Sequence, residues 1–484
     1  MYKHILWAAF AAVTLLFSYP TVPRAQSAAT FVPLGLSPAG FASVQSEAWR
    51  TSADGSVVIG QYWEPNGSFF RRRGFRWQAS TGMQDLGALD PNAIEVQPLG
   101  VSDDGSKIVG WARGVSGFQR PFVWTAATGM QELVEVPGTD ARATGISRDG
   151  RLIAGYFLEG TEQAFILRDG IVTRLGFLAG ETDSFARAVC GLGTAVVGST
   201  QSAGGRAFRW TAAGGMRDLG SLRIDSPSYA LHCSDDGSVV VGVSGDDKGL
   251  PPARWDSTGI RSLGTLGGNS GEAHSVSADG SIIVGAAGLP FVNGISEFAA
   301  FRWTTATRKV EQLSRVLQNL GVSMPFCHDP NTCPAGSWFV QFALGISADA
   351  QVIVGAAVNP DNVLEAYRAV VPAAGSGSGS GTIAACSTGF AKVTLTVNAA
   401  PGATVGTVIS RQTSSTGSAL TVSSGQSASA CFQSNKTLGF EAQNNRIADW
   451  SGSPAFTCKD GNTRQNRCEF ALGTASQSVT ATLR

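Results

Sequence analysis

The sequence has little charge, little histidine and few of the motifs that mark enzymes. Charged residues make up 15% of the 484 residues, and Lys+Arg and Asp+Glu are equal at 36 each. Nucleic-acid binding needs clustered Lys and Arg, so no nucleic-acid partner is expected. The sequence lacks His-Glu-x-x-His, Gly-x-Ser-x-Gly and Cys-x-x-Cys motifs. It therefore predicts no catalytic residue, no metal site and no cofactor.

No apolar run of membrane-spanning length occurs anywhere in the chain. The longest run, 5–17, follows Lys3 and His4 and precedes small residues at 25–29. It is shorter than the roughly 20 residues that cross a bilayer. A cleaved signal peptide over 1–29 is therefore favoured over a membrane anchor. We expect a secreted mature chain without a transmembrane segment, in the periplasm, at the cell surface or outside the cell.

The chain is instead rich in glycine and in short apolar segments. It contains 60 Gly and 43% hydrophobic residues. A nine-residue pattern, Ser-x-Asp-Gly-x followed by a β-branched pair and a closing Gly, recurs along the chain. Its copies are 52–60, 102–110, 147–155, 190–198 (degenerate), 234–242, 277–285 and 347–355. Most copies are 43 to 50 residues apart, and the last gap is 70.

Each copy is followed by an aromatic segment such as Ala-Phe-Arg-Trp and, in most copies, by a Met-x-Asp-Leu-Gly segment. One unit is therefore four short strands. Asp-Gly is expected to form a type I′ turn, in which both residues have positive φ. A four-stranded unit with this period is typical of an all-β, seven-bladed β-propeller over 30–372. A β-solenoid is the competing fold, but its coils are shorter.

Two further features concern how the propeller is completed. The aromatic segment of the last copy runs directly into a Gly/Ser stretch, so the seventh blade lacks its fourth strand. Residues 30–35 resemble a fourth strand, and we predict that they pair beside 366–371. The long gap is predicted to hold an insertion over 310–340, with a short helix at 311–320, because apolar residues there recur at helical spacing.

The repeats resemble the HAF family of extracellular repeat proteins over about 31–372. The His-Ala-Phe triplet of that family survives here as Ala-Phe-Arg-Trp without its His. The resemblance implies a surface or secreted location and no known reaction. Residues 373–382 form a Gly/Ser linker. The remaining module, 383–484, alternates apolar and polar residues as a small β-domain does. Its segment Asp-Trp-Ser-Gly at 449–452 and its last strand resemble the divergent internalin B-repeat family.

Eight Cys in an exported chain predict four disulfides. Cys327–Cys333 and Cys458–Cys468 are close in sequence, and Cys386–Cys431 is then the natural third pair. The fourth, Cys190–Cys233, would join neighbouring blades; the alternative is two buried small side chains.

Counted back from the turn Gly of their own repeats, Cys190 stands at an odd position and Cys233, in the next blade, at an even one. His232 and His274 repeat this odd and even pattern one blade further along the chain. If strand residues alternate strictly, both pairs face each other or both turn apart. We hypothesise that they face, which makes His232 and His274 a candidate ligand site. Their alternative role is packing.

Other charged groups receive structural interpretations. The pairs at 103–104 and 235–236 belong to turns, the Arg run at 71–73 to a solvated loop, and His328 to an exposed loop. Inner strands rich in Ala, Val, Ser and Gly favour a non-enzymatic binding, adhesion or scaffold protein. We expect a monomer whose partner is an extracellular glycan or protein. The alternative is an extracellular hydrolase or lyase with its site at the mouth of the propeller channel.

Overall fold

The structure, a computed structural model, describes residues 28–372 except 139, 293 and 295, together with the backbone of ten strands between 390 and 483. The predicted signal peptide (but for its last two residues), the Gly/Ser linker and Cys386 lie outside the described residues. The described residues from 28 to 372 belong to one compact unit, and the C-terminal strands belong to another.

The described part of the first unit consists mainly of antiparallel strands, with β26 parallel to β27, and contains one short α-helix. Its strands are β1 (Thr30–Gly35), β2 (Ser46–Thr51), β3 (Val57–Asn66), β4 (Phe69–Gln78), β5 (Gly82–Asp85), β6 (Glu95–Val101), β7 (Lys107–Arg113), β8 (Gln119–Thr125), β9 (Gly129–Glu132), β10 (Ala141–Ile146), β11 (Leu152–Glu159), β12 (Thr161–Arg168), β13 (Ile171–Arg174), β14 (Phe185–Cys190), β15 (Ala195–Ser199), β16 (Ala207–Thr211), β17 (Gly215–Asp218), β18 (Ser228–Cys233), β19 (Val240–Ser244), β20 (Pro252–Asp256), β21 (Gly259–Ser262), β22 (Gly271–Val276), β23 (Ile282–Gly288), β24 (Phe298–Thr304), β25 (Val310–Gln312), β26 (Phe326–Cys327), β27 (Trp338–Ile346), β28 (Val352–Val358) and β29 (Leu364–Val370).

The repeats fold as the sequence predicts, each into four hydrogen-bonded strands. The first six groups are β2 to β5, β6 to β9, β10 to β13, β14 to β17, β18 to β21 and β22 to β25. The first two groups are also joined by one bridge, Arg72 to Glu95. The last repeat supplies β27, β28 and β29, and its fourth strand is β1. In this sheet Phe31 pairs with Ala369 and Val32 with Arg368, which confirms the predicted closure.

The turn of each repeat is fixed by its Ser and Asp side chains. In the first repeat the Val57 amide donates to Ser52 Oγ at 3.0 Å, while the Ser52 hydroxyl donates to Asp54 Oδ1 at 2.9 Å. Five other repeats carry the same pair of bonds. Gly55 has a φ of +70°, but no Asp of these turns has positive φ. The expected type I′ turn is therefore wrong: the side chains hold a turn in which only the fourth residue is left-handed.

The innermost strands contact one another in chain order, and β27 contacts β2. At the turn end of these strands, backbone amides donate to carbonyls of the next repeat. These bonds run from Ala53 to Asp103, Asp103 to Arg148, Arg148 to Gly191, Asp235 to Ala278, Ala278 to Ala348 and Ala348 to Ala53, at 2.9 to 3.2 Å. Arg368 of the last repeat also donates to the Gly55 carbonyl of the first at 2.8 Å. A closed ring of four-stranded sheets is a β-propeller.

The insertion contains one helix, α1 (Leu313–Asn319), and the short 3₁₀ turn Pro330–Thr332; a second such turn, Ser202–Gly204, lies in the fourth repeat. Leu313 and Leu317 of α1 are buried, so the predicted helix is confirmed. Cys327 and Cys333 form a disulfide, as do Cys190 and Cys233, which confirms two of the four predicted bridges.

The C-terminal unit has two five-stranded sheets. Their strands are β30 (Phe390–Ala399), β31 (Thr407–Thr413), β32 (Ala419–Ser423), β33 (Gln426–Gln433), β34 (Thr437–Ala442), β35 (Ala448–Ser453), β36 (Thr457–Cys458), β37 (Arg464–Gln465), β38 (Arg467–Ala471) and β39 (Gln477–Leu483). One sheet has the order β33-β30-β39-β35-β37, and the other β32-β31-β34-β38-β36. Cys458 is the backbone partner of Cys468, and Cys431 lies on β33. The Cys458–Cys468 and Cys386–Cys431 bridges stay predictions.

Candidate functional site

Every innermost strand of the propeller is interrupted by a β-bulge before the turn. In the first repeat the pairing register shifts between Ala48 and Arg50, which leaves Trp49 without a partner residue. The equivalent residues of the other repeats are Leu99, Thr144, Arg187, Leu231, His274 and Leu344. A bulge re-aims the side chain that it leaves unpaired.

The closing Gly of each repeat makes the bulge possible. A Cβ on Gly60 would lie 1.9 Å from the Glu47 carbonyl oxygen, and the six other closing glycines would meet the equivalent carbonyl at 1.9 to 2.0 Å. No side chain fits at that distance. The recurring Gly is therefore needed where the bulged inner strand presses against the second strand of its own sheet.

The seven bulge residues converge on one cavity, which we call the channel mouth. It has a volume of about 360 Å³, and its lining is completed by Glu47, Arg50 and Glu272. Below it, toward the turns, lies a second cavity of about 110 Å³ to which all seven innermost strands contribute. The mouth thus gathers single residues that are 43 to 70 positions apart in sequence, because the ring brings equivalent positions together.

Two guanidinium groups, Arg50 and Arg187, line both cavities. Arg50 Nη1 donates to the carbonyls of Trp49 at 2.9 Å and Leu344 at 2.6 Å. Arg187 Nε is buried without a hydrogen-bond partner. In the part of the chain that the structure describes, neither cation forms an ion pair, and burial lowers the pKa of Arg50 to about 10. Both side chains are half-buried. Because neither forms an ion pair, an anion bound between them would be stabilised by charge-assisted hydrogen bonds.

The acidic groups of the mouth are weakened acids. Burial raises the pKa of Glu47, against the opposing effect of hydrogen bonds from Trp49 Nε1 at 3.0 Å and Gln61 Nε2 at 3.4 Å. Burial also raises the pKa of Glu272, although the charge of Arg187 opposes the change. Both carboxyl groups can accept hydrogen bonds, and each can donate one when protonated.

The imidazoles at the channel stay neutral. Burial, helped by the charge of Arg50, lowers the pKa of His232 to about 3 and that of His274 to about 4. His274 Nδ1 lies 3.6 Å from Glu272 Oε2, and the Nδ1 atom of His232 is buried without a partner. Neutral imidazoles supply one donor and one acceptor each.

The turn end of the channel is closed by a charged bridge. Arg148 Nε lies 3.0 Å from Asp103 Oδ2, and its Nη1 contacts Asp235 Oδ2. These acidic residues were assigned to turn formation, but the turn-forming carboxylates are their neighbours, Asp104 and Asp236. Asp103 and Asp235 instead hold an Arg across the ring, so a ligand can enter the channel more easily at the mouth.

The structure places the two candidate ligand residues, His232 and His274, in different cavities. His232 lines the inner cavity and His274 the mouth. The register shifts just before His232 and at His274, so the strict alternation on which the facing argument rested does not hold. The facing pair stays a prediction. The Cys190–Cys233 bridge that accompanied it is present, and joins innermost strands of neighbouring sheets with Cα atoms 5.5 Å apart.

Two minor interpretations are wrong. The Arg run at 71–73 lies within β4, not in a loop, and two of its members pair with carboxylates, Arg72 with Glu95 and Arg73 with Asp85. His328 is half-buried and bonded at both nitrogens, to Ser314 Oγ at 2.8 Å and Gln318 Oε1 at 3.0 Å.

Sequence reasoning missed five members of the mouth: Trp49 and the charged residues Glu47, Arg50, Arg187 and Glu272. Inner strands rich in Ala, Val and Gly suggested an uncharged channel. A position-by-position comparison of the repeats could have found Trp49 and Arg187, because they stand six before the turn residue, where three of the repeats have Leu. Among the described residues, no group of three or more His, Cys, Asp and Glu side chains is arranged to hold a metal ion.

No helix in the described part of the chain has both the length and the apolar character needed to cross a membrane. No protein family profile and no curated protein sequence matches the chain.

Several solved structures are similar at low identity. TolB from Acinetobacter baumannii is 14% identical with a TM-score of 0.37, over 56% of this chain and 64% of that one. The chain therefore spans less than two thirds of that protein's length. The β-propeller domain of the Trilobed protease from Pyrococcus furiosus is 11% identical with a TM-score of 0.44, over 68% of this chain and 94% of that one. Oligogalacturonate lyase from Vibrio parahaemolyticus is 10% identical with a TM-score of 0.42, over 72% and 98%. These likenesses carry no inference about ligand or reaction.

Proposed function

We propose that this protein is an exported, seven-bladed β-propeller that binds an extracellular ligand at the channel mouth and does not transform it. The observation that carries the proposal is that the ring brings Arg50, Arg187 and His274, from three different repeats, to one cavity, where the buried Nε of Arg187 has no hydrogen-bond partner. Buried polar groups in proteins are normally satisfied, so this nitrogen points to a missing partner. The closed ring of repeats supports seven as the number of blades.

Export is part of the same proposal. The apolar run at the beginning of the sequence and the resemblance to HAF repeats support it. Two disulfides in the propeller agree with an oxidising compartment, where such bonds persist. The C-terminal module, with its resemblance to internalin B-repeats, would then act as a spacer or an adhesive unit.

A second candidate function, hydrolysis or elimination at the same mouth, has one specific observation in its favour. Glu47 and Glu272 both have a raised pKa and line the same cavity, and general acids in enzymes are tuned in this way. Binding is favoured because the remaining lining is largely apolar and the described residues hold no metal cluster.

The test compares two Leu→Trp substitutions. Leu231→Trp fills the mouth, whereas Leu192→Trp adds the same bulk at an exposed turn at the opposite end of the inner strands. The purified protein is screened on glycan and peptide arrays. We expect Leu231→Trp to abolish binding of the ligand found and Leu192→Trp to leave it unchanged. Binding that survives Leu231→Trp would overturn the proposed site.

The same samples distinguish the enzyme. Bound oligosaccharides and peptides are recovered and analysed by mass spectrometry for shortened products. We expect intact ligand. Shortened products that disappear in Glu47→Gln or Glu272→Gln would replace the binding function with a catalytic one.

A further inference from the structure

The charges of the channel mouth are mixed, and their arrangement restricts the ligand. Arg50 and Arg187 come from blades one and four, while Glu47 and Glu272 come from blades one and six. The two cations lack ion-pair partners among the described residues, and Arg187 keeps a buried Nε with no acceptor. A planar guanidinium matches a carboxylate through two parallel hydrogen bonds. These two cations therefore fit an anionic group.

The carboxyl groups of the mouth disfavour a ligand that is only an anion. Glu47 and Glu272 line the same cavity as the two cations and would repel a second negative charge. Glu47 is half-buried and Glu272 is exposed, with the imidazole of His274 nearby. These groups suit hydroxyls, which donate to carboxylates and accept from or donate to a neutral imidazole. A ligand that satisfies both the cations and the carboxyl groups carries one acid group and several hydroxyls on a small frame.

The apolar part of the lining fits the same frame. Trp49 is half-buried at the mouth, and its Nε1 is bonded to Glu47, which holds the indole in one orientation. Leu99, Leu231 and Leu344 complete the wall. A fixed aromatic ring beside hydroxyl-binding carboxyl groups offers an apolar surface to the C–H face of a sugar ring while the polar edge is hydrogen-bonded.

We propose that the ligand is an acidic saccharide, whose carboxylate lies between Arg50 and Arg187 and whose hydroxyls contact Glu47, Glu272 and His274. This inference rests on the proposed function and names the ligand class for the same mouth. An acidic peptide is the competing ligand; it presents carboxylates but few hydroxyls, and would leave Glu47 and Glu272 without hydrogen-bond donors.

The experiment measures calorimetric affinities for a panel of uronate oligomers and sialylated glycans. The uronates are oligomers of galacturonate, glucuronate, mannuronate and guluronate, each as free acid and as methyl ester. Methyl esterification removes the charge and keeps the hydroxyls. Arg187→Gln removes the unpaired cation, and Arg174→Gln is the control, an exposed Arg paired with Glu159 on an outer strand. Arg50 is kept because it bonds to two carbonyls.

We expect at least one free acid to bind, its methyl ester to bind more weakly, and Arg187→Gln to weaken the free acid by about ten- to hundredfold, as expected for a charge-assisted bond. The affinity of the ester should change little in Arg187→Gln, and neither affinity should change in Arg174→Gln. Added salt should weaken the free acid more than the ester.

Three results would overturn the proposal that the ligand is an acidic saccharide. The first is equal affinity for the free acid and its methyl ester. The second is a loss of affinity in Arg187→Gln that is the same for both, and the third is no binding to any member of the panel. The first two leave ligand binding at the mouth intact if Leu231→Trp abolishes it. In the third case, peptides of C-terminal Asp or Glu are titrated: binding that Leu231→Trp removes would keep the mouth and change the ligand class.

Discussion

The disulfide between Cys190 and Cys233 gives the sharpest stability prediction. It connects the ends of β14 and β18, the innermost strands of neighbouring blades, and closes a loop with a sequence separation of 43. In the chain-entropy description, a loop of that size restricts the unfolded chain by about 4 kcal/mol at 25 °C. Both cysteines are buried in a core cluster with Ala188 and Val240, so no solvent exposure changes when the bond is lost.

The substitutions that perturb packing least are given by the other repeats. Ser occupies the position of Cys190 in all six of them, and Val occupies the position of Cys233 in the second, fourth and sixth. The variant Cys190→Ser/Cys233→Val therefore keeps volume and polarity close to what the fold accepts, and packing should contribute less than about 1.5 kcal/mol. We expect a loss of about 4 kcal/mol in the free energy of unfolding, measured by urea denaturation followed by Trp fluorescence.

The control is the second bridge, Cys327–Cys333. Its sequence separation is only 6, and the same relation gives about 2 kcal/mol for Cys327→Ser/Cys333→Ser. The larger loop should therefore cost about twice as much as the smaller one. A loss below about 1 kcal/mol for Cys190→Ser/Cys233→Val, or one no larger than that of the control, would refute the reasoning.

Three further predictions concern the ring and its channel. Gly242→Ala should lower the free energy of unfolding, measured by urea denaturation, by at least about 3 kcal/mol, because its Cβ would lie 1.9 Å from the Tyr229 carbonyl oxygen. In the control, Gly114→Ala, the Cβ meets only a carboxylate at 3.3 Å, and the loss should be less than about 1 kcal/mol. Similar losses in the two variants would contradict the bulge argument. Deleting residues 30–36 should markedly lower the melting temperature measured by calorimetry, because it removes the strand that completes the last blade, and an unchanged melting curve would show that β1 is not needed. The pKa of His232 is about 3 in the folded protein against 6.5 in the unfolded chain, so the unfolded state binds more protons as the pH falls. The free energy of unfolding is therefore highest above pH 6.5 and decreases below it. The His contributes a loss of about 2 kcal/mol between about pH 7.5 and 5, and His232→Gln should remove that share of the dependence; identical pH profiles would rule out a buried neutral imidazole.

The repeats were predictable because their side chains carry local information. A Ser and an Asp at fixed spacing bond the turn, and a closing Gly follows at the point where no Cβ fits. The pairing of β1 was predictable for a similar reason: a ring needs every blade complete, and only 30–35 could supply the missing strand. Phe31 now packs on Tyr367 with ring centroids 5.0 Å apart.

The channel mouth was not predictable in the same way. It is built from bulge residues, and a bulge breaks the period-two alternation from which the facing of His232 and His274 was argued. The charges of Arg50 and Arg187 are 137 positions apart and meet only because the ring is closed. The turn type also depended on side-chain bonds that a dipeptide rule for Asp-Gly does not include.

The most direct test of the central claim is a crystal structure of the protein with the ligand selected by the binding screen. The account predicts density for the ligand at the mouth, with an acid group within hydrogen-bond distance of Arg187 and hydroxyls on Glu272. Ligand density on the outer strands or between blades, with the mouth filled only by water, would contradict it.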